Sequence, residues 1–399
     1  MMIFQFIFIA LAILLSIPLL VIGFELLVTL FHKTSVDRDL SINQIQDTYK
    51  ILIPAHNEAE IIANTLTKLL EQKVLAESII LVADNCTDTT AAIARTFGVT
   101  VLERFNNELR GKGFALDYGV TFLKEHTPPD VLVIFDADCE INNGGMNLLV
   151  SHCLQHSCPV QALYLMKQNG IVSMKQRVAE FAWLVKNKLR PIAVNKLGLP
   201  VTLTGTGMAF PWPIIATVDL AHGNIVEDMQ LGIDCALKGF SPVFCEQSVV
   251  YSNFPEQLEA ESSQRTRWEH GHLMTISQQV PKLINIAIKT KDWRLLGLGL
   301  DLAVPPLALL VIFSFLSLML FAGFASYSDR YEAVFILLLS FILFSVTLMI
   351  TWWQFGRSYL TLKELCSVPL YILSKISIYV GLVFKPQKAW VKTARKDHL

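Results

Sequence analysis

Asp136 and Asp138 stand two residues apart, directly after the apolar run Val131-Leu132-Val133-Ile134-Phe135. An apolar run of this length, bounded by polar residues, predicts a buried strand. Carboxylates at the end of such a strand fall on the carboxyl edge of a sheet, where open α/β sheets bind ligands. Where the chain turns, both side chains reach one site, and their hard oxygens suit Mg²⁺ or Mn²⁺. Helix capping after a strand is the alternative use of such a pair. Other reactive types recur along the chain: Glu58, Asp84, Lys112 between two glycines, Glu227-Asp228, and the group Gln264, Arg267 and Trp268. A positioned carboxylate can take a proton from a hydroxyl, and a guanidinium is permanently charged and can bind two anionic oxygens.

The elements that must position these residues are legible as alternation. Ile51-Leu52-Ile53, Ile79-Ile80-Leu81-Val82 and Thr100-Val101-Leu102 predict three short strands before the one ending at Asp136. Asn57 is placed to cap a helix after the first, with Glu58 and Glu60 in its opening turn. Residues 89–97 predict a helix closed by Gly98, and Gly111-Lys112-Gly113 opens another running to Glu125. Strands alternating with helices predict a parallel sheet covered on both faces, the nucleotide-binding half of a doubly wound fold.

The second half is less regular. Residues 143–155 predict a helix and 160–165 a strand. Over 173–190, Val178, Phe181, Ala182, Val185 and Leu189 recur at helical spacing among Lys175, Arg177, Lys186, Lys188 and Arg190. Such a helix lies on a membrane surface or packs on the domain as an ordinary helix. Residues 203–210 predict a strand broken by the turn Gly205-Thr206-Gly207, whose glycines allow close backbone approach to a ligand. Val226-Glu227-Asp228 opens a helix, and a further one over 258–280 carries Gln264, Arg267 and Trp268. His270 and His272 are two apart and face different ways on that helix. Neither they nor His56 predicts a metal site.

The chain has 399 residues, 53% of them hydrophobic, and a net charge of −1. Its mean hydropathy of +0.46 is high for a soluble domain. The excess lies at the ends: residues 1–24, 302–328 and 333–356 contain no charge. Each run exceeds the roughly 20 residues a spanning helix needs. The first lacks a basic start and a small-residue cleavage site, so it predicts a retained helix rather than a signal peptide. Basic residues follow it (His32, Lys33, Arg38) and crowd the C-terminus (Lys385, Lys388, Lys392, Arg395, Lys396), whereas the hairpin tip Asp329-Arg330-Tyr331-Glu332 has no basic excess. The positive-inside rule then predicts a cytoplasmic central domain and tail. A fourth apolar stretch, 365–384, is broken by Pro369 and Lys375 and predicts an interfacial or re-entrant segment.

The expected organisation is therefore an N-terminal transmembrane helix (1–31), a linker (32–49), a central domain (50–280), an interfacial helix (281–294), a transmembrane hairpin (295–356) and an interfacial segment with basic tail (357–399). The charge balance offers no basic face for nucleic acid. Seven cysteines, none in a Cys-x-x-Cys pair, fit a reducing compartment and no zinc site. There is no internal repeat.

Five features occur in one order: Pro54 to Glu58, Asp84, Asp136/Asp138, Glu227-Asp228 and Gln264-x-x-Arg267-Trp268. Flanked by apolar helices, they resemble a membrane-bound family-2 glycosyltransferase of GT-A fold. They are similar to bacterial exopolysaccharide glycosyltransferases and to cellulose, hyaluronan and poly-N-acetylglucosamine synthases. The resemblance covers residues 51–268. It implies an α/β GT-A domain, doubly wound with a mostly parallel sheet, joined to α-helical transmembrane segments in a multi-pass protein of a bacterial inner or plasma membrane.

The same resemblance implies an activity and roles. The reaction would be inverting, divalent-cation-dependent transfer of a hexosyl or N-acetylhexosaminyl unit from a nucleotide-sugar to a glycan or lipid-linked acceptor, in exopolysaccharide or cell-surface glycan synthesis. Uridine diphosphate is the family's usual nucleotide. Asp84 would receive the base, Glu58 would lie near the ribose, and Lys112 near the base or diphosphate. Asp136 would contact the nucleotide-sugar and Asp138 the Mg²⁺ or Mn²⁺. Asp228 would be the catalytic base, with Glu227 structural or orienting. Gly205, Thr206 and Gly207 would adjoin the acceptor or donor sugar. Arg267 would hold the leaving diphosphate, Trp268 would face a sugar ring and Gln264 would donate a hydrogen bond. Val226 departs from the commoner threonine before Glu-Asp, at a position that need not carry chemistry. Membrane lipid, and a membrane partner subunit for polymer export, are the further implied partners.

Rival readings differ in observable ways. A transporter needs polar or broken helices at mid-bilayer, whereas Glu25 and Asp301 lie near the ends of their segments. A non-catalytic nucleotide-sugar-binding membrane protein would not need Asp228. A polyprenyl-phosphate monosaccharide transferase would usually lack Gln264-x-x-Arg267-Trp268.

Overall fold

The computed structural model describes residues 2–33, 49–167, 173–221, 226–254 and 258–376, with residues 378, 379 and 381. The expected linker and the basic tail lie outside the described residues. In chain order, the first half contains helix α1 (Met2–Leu30), strand β1 (Tyr49–Ala55), α2 (Ile62–Glu71), β2 (Ile79–Asp84), α3 (Thr90–Thr96), β3 (Thr100–Arg104), α4 (Lys112–Glu125) and β4 (Val131–Ile134). There follow β5 (Glu140–Ile141), α5 (Gly145–His156), β6 (Val160–Lys167), α6 (Met174–Leu184), α7 (Arg190–Lys196), β7 (Met208–Pro211), α8 (Trp212–Ile215), α9 (Glu227–Leu237) and β8 (Val243–Asn253). The remaining helices are α10 (Leu258–Thr290), α11 (Trp293–Leu302), α12 (Leu307–Ser328), α13 (Glu332–Thr351), α14 (Leu362–Leu365) and α15 (Val368–Ser374).

The chain divides into two units. One comprises Thr34–Asn169, Leu199–Gly271 and Lys388–Leu399. Its eight strands form one sheet in the order β3-β2-β1-β4-β7-β6-β8-β5. The pairs β1–β2, β2–β3, β1–β4 and β6–β8 are parallel, while β7 runs antiparallel to β4 and β6, and β5 to β8. The sheet is therefore mostly parallel, as expected, with antiparallel insertions in its second half. Alternating side chains of each central strand feed two cores. Ile51, Ile53, Leu81 and Val133 face one with Leu66 and Leu149. Leu52, Ile80, Leu132 and Ile134 face the other with Leu116 and Leu231. Burial on both faces is why these strands read as unbroken apolar runs. The order reverses between β1 and β4, so their carboxyl ends flank a crevice of the kind that binds ligands.

Three expectations are corrected. Asn57 does not cap α2, whose N-cap is Ile61 without a side-chain bond. Asn57 adopts φ +54° and accepts from the Thr87 N–H at 2.7 Å, tying the β1 and β2 loops together. The expected strand over 203–210 begins only at Met208, because Gly205 and Gly207 both take positive φ. Strand β8 was not expected: its eleven residues mix Cys245, Glu246, Gln247 and Ser248 with apolar ones, so no clean alternation marks it.

The other unit comprises Met1–Lys33, Gly170–Gly198 and His272–Gln387. Three of its helices, Ile3–Leu30, Leu307–Ser328 and Glu332–Gly356, are long and apolar enough to cross a membrane. Their outward faces carry Phe6, Phe313, Leu316 and Phe335, while Phe8 meets Phe321 and Phe324 with ring centroids 5.2 and 4.8 Å apart. The basic helix expected over 173–190 becomes α6, a π-helical turn at Val185–Leu189, and α7. Arg190 is not on an exposed face. Its Nε donates to Glu25 Oε2 at 2.6 Å and its Nη2 to Asp301 Oδ1 at 2.6 Å and the Asp301 carbonyl at 2.8 Å.

Candidate active site

The carboxyl end of β4 delivers Asp136. Its N–H donates to Thr206 Oγ1 at 3.0 Å, and its carboxylate takes a hydrogen-bonded ion pair from the Lys112 ammonium. Lys112 also donates to the Gly205 carbonyl at 2.7 Å. It stands at the first turn of α4, entered through Gly111 at φ +125°. Gly205 has φ +94°, and a Cβ there would stand 3.3 Å from Asp228 Oδ2 and 3.7 Å from Lys112 Nζ. Any side chain at Gly205 is therefore strained and would press on the Asp228 carboxylate. The turn is held from behind by Gln161, 1% exposed, whose amide nitrogen donates to the Thr206 carbonyl at 3.0 Å and whose oxygen accepts from the Thr204 N–H at 2.8 Å. Gly207 accepts from the Ala162 N–H at 2.8 Å and thereby joins the turn to β6.

The structure thus brings Lys112, Asp136, Gly205, Thr206 and Asp228 together from segments far apart in sequence. Asp228 and Glu227 open α9, where carboxylates complement the helix dipole. Burial pushes the Glu227 carboxyl up to about 7, and the neighbouring Asp228 charge adds to the rise against the opposing pull of Lys112. Burial likewise raises Asp136, with Lys112 opposing and Asp138 reinforcing. Burial alone would depress Lys112, but the carboxylates of Asp136 and Glu227 outweigh it and raise its pKa. Burial lowers Arg267, and the opposing pulls come from Glu227, Asp228 and Asp136. Arg267 therefore belongs electrostatically to this cluster. Gln264 and Trp268 are half-buried within a turn of it on α10.

The neighbouring strand ends supply a second group. Asp84 ends β2 and is 6% exposed. Its Oδ1 accepts from Arg104 Nη1 at 2.6 Å and from Asn85 Nδ2 at 3.0 Å, while its Oδ2 takes no hydrogen bond among the described residues. Arg104 also donates to the Leu109 carbonyl at 2.8 Å, and Asn85 accepts from the Asn106 N–H at 2.8 Å, so the loop after β3 is fixed around Asp84. His56 Nδ1 lies 2.7 Å from the Asp84 carbonyl, a satisfied polar histidine. The Glu58 N–H donates to Thr90 Oγ1 at 2.8 Å, and the Glu58 carbonyl accepts the first N–H groups leading into α2. Arg104, Asn85 and Gln161 were not found by sequence reasoning. Arg104 pairs with Asp84 across the parallel β2–β3 register, which spacing alone does not reveal.

Asp136, Asp138 and Cys139 carry ligand-type atoms that all lie within 4.8 Å of one another. The carboxylates are hard donors that fit Mg²⁺ or Mn²⁺. Cys139 is 1% exposed, and burial, reinforced by Asp138, pushes its thiol well above the usual range. It is a protonated packing residue, and Asp138 is the carboxylate at this edge not engaged by Lys112.

Comparison with known proteins identifies the family and the fold. The family described as "Glycosyltransferase like family 2" matches residues 47–271. A 4,4'-diaponeurosporenoate glycosyltransferase of Staphylococcus haemolyticus is 34% identical over 97 residues, 23% of this chain and 24% of the relative. Its Staphylococcus aureus counterpart (strain MRSA252) is 30% identical over 112 residues, 27% of this chain and 28% of the relative. The match thus spans about a quarter of the length of each relative. Among solved structures, the mannosyltransferase PcManGT from Pyrobaculum calidifontis, in complex with GDP-Man and Mn2+, superposes with a TM-score of 0.50 at 17% identity, covering 85% of this chain and 98% of that one. This likeness establishes the fold. Because the family match takes in more than half of the chain and the whole β1–β8 sheet, the protein belongs to glycosyltransferase family 2 and is a glycosyltransferase of GT-A architecture.

Proposed function

We propose that the protein transfers a sugar, with inversion, from a uridine diphosphate sugar to a glycan or lipid-linked acceptor at a membrane, in exopolysaccharide or cell-surface glycan synthesis. The observation that carries this is the convergence of Lys112, Asp136, Gly205 and Asp228 beside Asp138, with Arg267 electrostatically linked to Glu227, Asp228 and Asp136. Asp228 takes the proton of the acceptor hydroxyl as that oxygen attacks the anomeric carbon and the bond to the diphosphate breaks. Arg267 and Lys112 stabilise the departing negative charge. Asp138, with Asp136 beside it, holds Mg²⁺ or Mn²⁺, which when bound supplies Lewis-acid stabilisation to the diphosphate. Glu58 lies toward the ribose, Gly205, Thr206 and Gly207 toward the sugar, and Gln264 and Trp268 toward the acceptor.

The preference for uridine is supported by Asp84. Arg104 and Asn85 occupy one carboxylate oxygen, leaving one for a ligand. Uracil presents a single N–H between two carbonyls, whereas guanine presents two adjacent N–H donors that need both oxygens of a carboxylate. The three apolar helices support integral membrane residence, and the basic residues flanking them support a cytoplasmic catalytic domain within residues 50–280. The test is incubation of membranes carrying the full-length protein with labelled nucleotide-sugars and Mn²⁺, followed by sizing of the product. Nucleotide release equal to that of Asp228→Asn across the whole panel would sink the reading.

A further inference from the structure

The sheet order places β1 between β2 and β4. Asp84 closes β2 and Asp136 follows β4, so the two stand on either side of the carboxyl end of β1. A nucleoside diphosphate with its base at Asp84 and its diphosphate toward Asp136 therefore carries its ribose across the segment that leaves β1, residues 56–59. The conformation of that segment is set from outside it. Three successive backbone N–H groups are received by side chains of the loop after β2 and the start of α3. Asn57 donates to Cys86 Sγ at 3.4 Å, Glu58 to Thr90 Oγ1 at 2.8 Å and Ala59 to Asp88 Oδ2 at 3.1 Å. Asn57 takes φ +54°, a left-handed conformation that a non-glycine residue keeps only where its surroundings fix it.

Asp88 is the hub of this clasp. Its Oδ1 accepts from the Thr90 N–H at 2.9 Å and from the Thr90 hydroxyl at 2.6 Å. A hydroxyl has one proton. With that proton given to Asp88, Thr90 Oγ1 is left as the acceptor for Glu58. Thr90 is fully buried, so solvent does not compete for either bond. We propose that Asp88 and Thr90 are positioning residues that hold residues 56–59 against the donor's ribose and set Glu58 to accept from a ribose hydroxyl. They act through Glu58 and not by touching the donor. The inference rests on the nucleotide-sugar reading above and names the residues that make its ribose subsite rigid. A hydrogen bond to a carboxylate is charge-assisted, and a segment already fixed loses little freedom on making it. A deoxyribose has no proton to give there.

The test is direct titration of the full-length protein in detergent, with Mn²⁺, by UDP and its 2′-deoxy and 3′-deoxy analogues. GDP and its deoxy analogues are titrated in parallel, so the ratio is read on whichever nucleotide binds. The unaltered protein should favour the ribonucleotide over at least one deoxy analogue by about tenfold or more. Asp88→Asn offers one oxygen where three donors converge on two, and Thr90→Val removes the acceptor for Glu58. In both, that preference should fall to about twofold or less and ribonucleotide binding should weaken about tenfold. Thr90→Ser should restore both. A role in folding alone would lower the unfolding midpoint of Asp88→Asn and Thr90→Val and leave the ribo-to-deoxy ratio unchanged, and that result overturns the inference. Equal binding of all three nucleotides by the unaltered protein also overturns it, and needs no variant to fold. Binding of neither UDP nor GDP is instead the failure of the underlying reading, and the inference falls with it.

Discussion

Two buried clusters of charge sit in the two units of this molecule, and they are built on opposite rules. In the helical unit, Arg190 is saturated: Glu25 holds its Nε, and Asp301 takes its Nη2 through both carboxylate and carbonyl. In the sheet unit the pairing is deliberately incomplete. Among the described residues, Lys112 has two acceptors for three protons, Asp84 has one carboxylate oxygen taken and one open, and Glu227 and Asp228 stand side by side. A closed ion cluster fixes geometry, while an open one keeps donors and acceptors for a ligand. The difference separates structural charge from the charge we propose to be catalytic, without reference to position in the sequence.

Substitutions can break the contrast or sharpen it. The largest expected effect is Asp228→Asn, which should lower kcat by about 10²–10⁴-fold with no fall in thermal stability, measured as nucleotide release and as the unfolding midpoint in detergent. Arg190→Leu should do the reverse. It leaves two carboxylates buried without their cation and should cost about 3–5 kcal/mol of stability, while the UDP-to-GDP inhibition ratio of whatever folds stays unchanged. A shift in that ratio would mean that the two clusters do not obey separate rules.

Arg104→Gln is smaller and more specific. It removes a charged hydrogen bond to Asp84, so KM for the donor should rise about tenfold, and UDP should lose its advantage over GDP as an inhibitor. An unchanged ratio would reduce Arg104 to a strand-end ion pair. The smallest expected effect is a pH shift. Burial and Asp228 raise Glu227 from 4.5 to about 7, so below that range the acidic pair holds a proton and kcat/KM should fall on the acid side. Glu227→Gln removes the neighbouring charge and should move that limb to lower pH. The stability consequence has the opposite direction. A carboxyl whose folded pKa is raised contributes stability below its ordinary value, and that contribution is lost as pH rises through about 7. The unfolding midpoint should therefore decline over this interval in the unaltered protein and less in Glu227→Gln.

Much of the sheet unit is legible in the sequence because its central strands are buried on both faces. Ile51–Ile53, Ile79–Val82 and Val131–Phe135 have no polar interruption, and each leads into a strand end or loop that carries Glu58, Asp84 or Asp136. The family order of the acidic residues then points to the cleft. What escapes is whatever depends on register or on backbone sign. Arg104 reads as the polar end of a short strand until β2 and β3 are aligned. Gln161 lies inside an apolar strand and reveals its purpose only when the Gly205–Gly207 turn is folded against it. Asn57 has the composition of a helix cap, but its positive φ turns it toward the β2 loop instead. Arg190 looks like one more cation on a basic helix because its partners are distant in sequence.

That distance has a consequence for biogenesis. Arg190 leaves the ribosome 165 residues after Glu25, a delay of about ten to thirty seconds at ordinary elongation rates. Over that interval Glu25 lacks the cation that holds it in the folded protein. The docking of α1 with α7 and α11 therefore cannot be completed until both later helices have been synthesised.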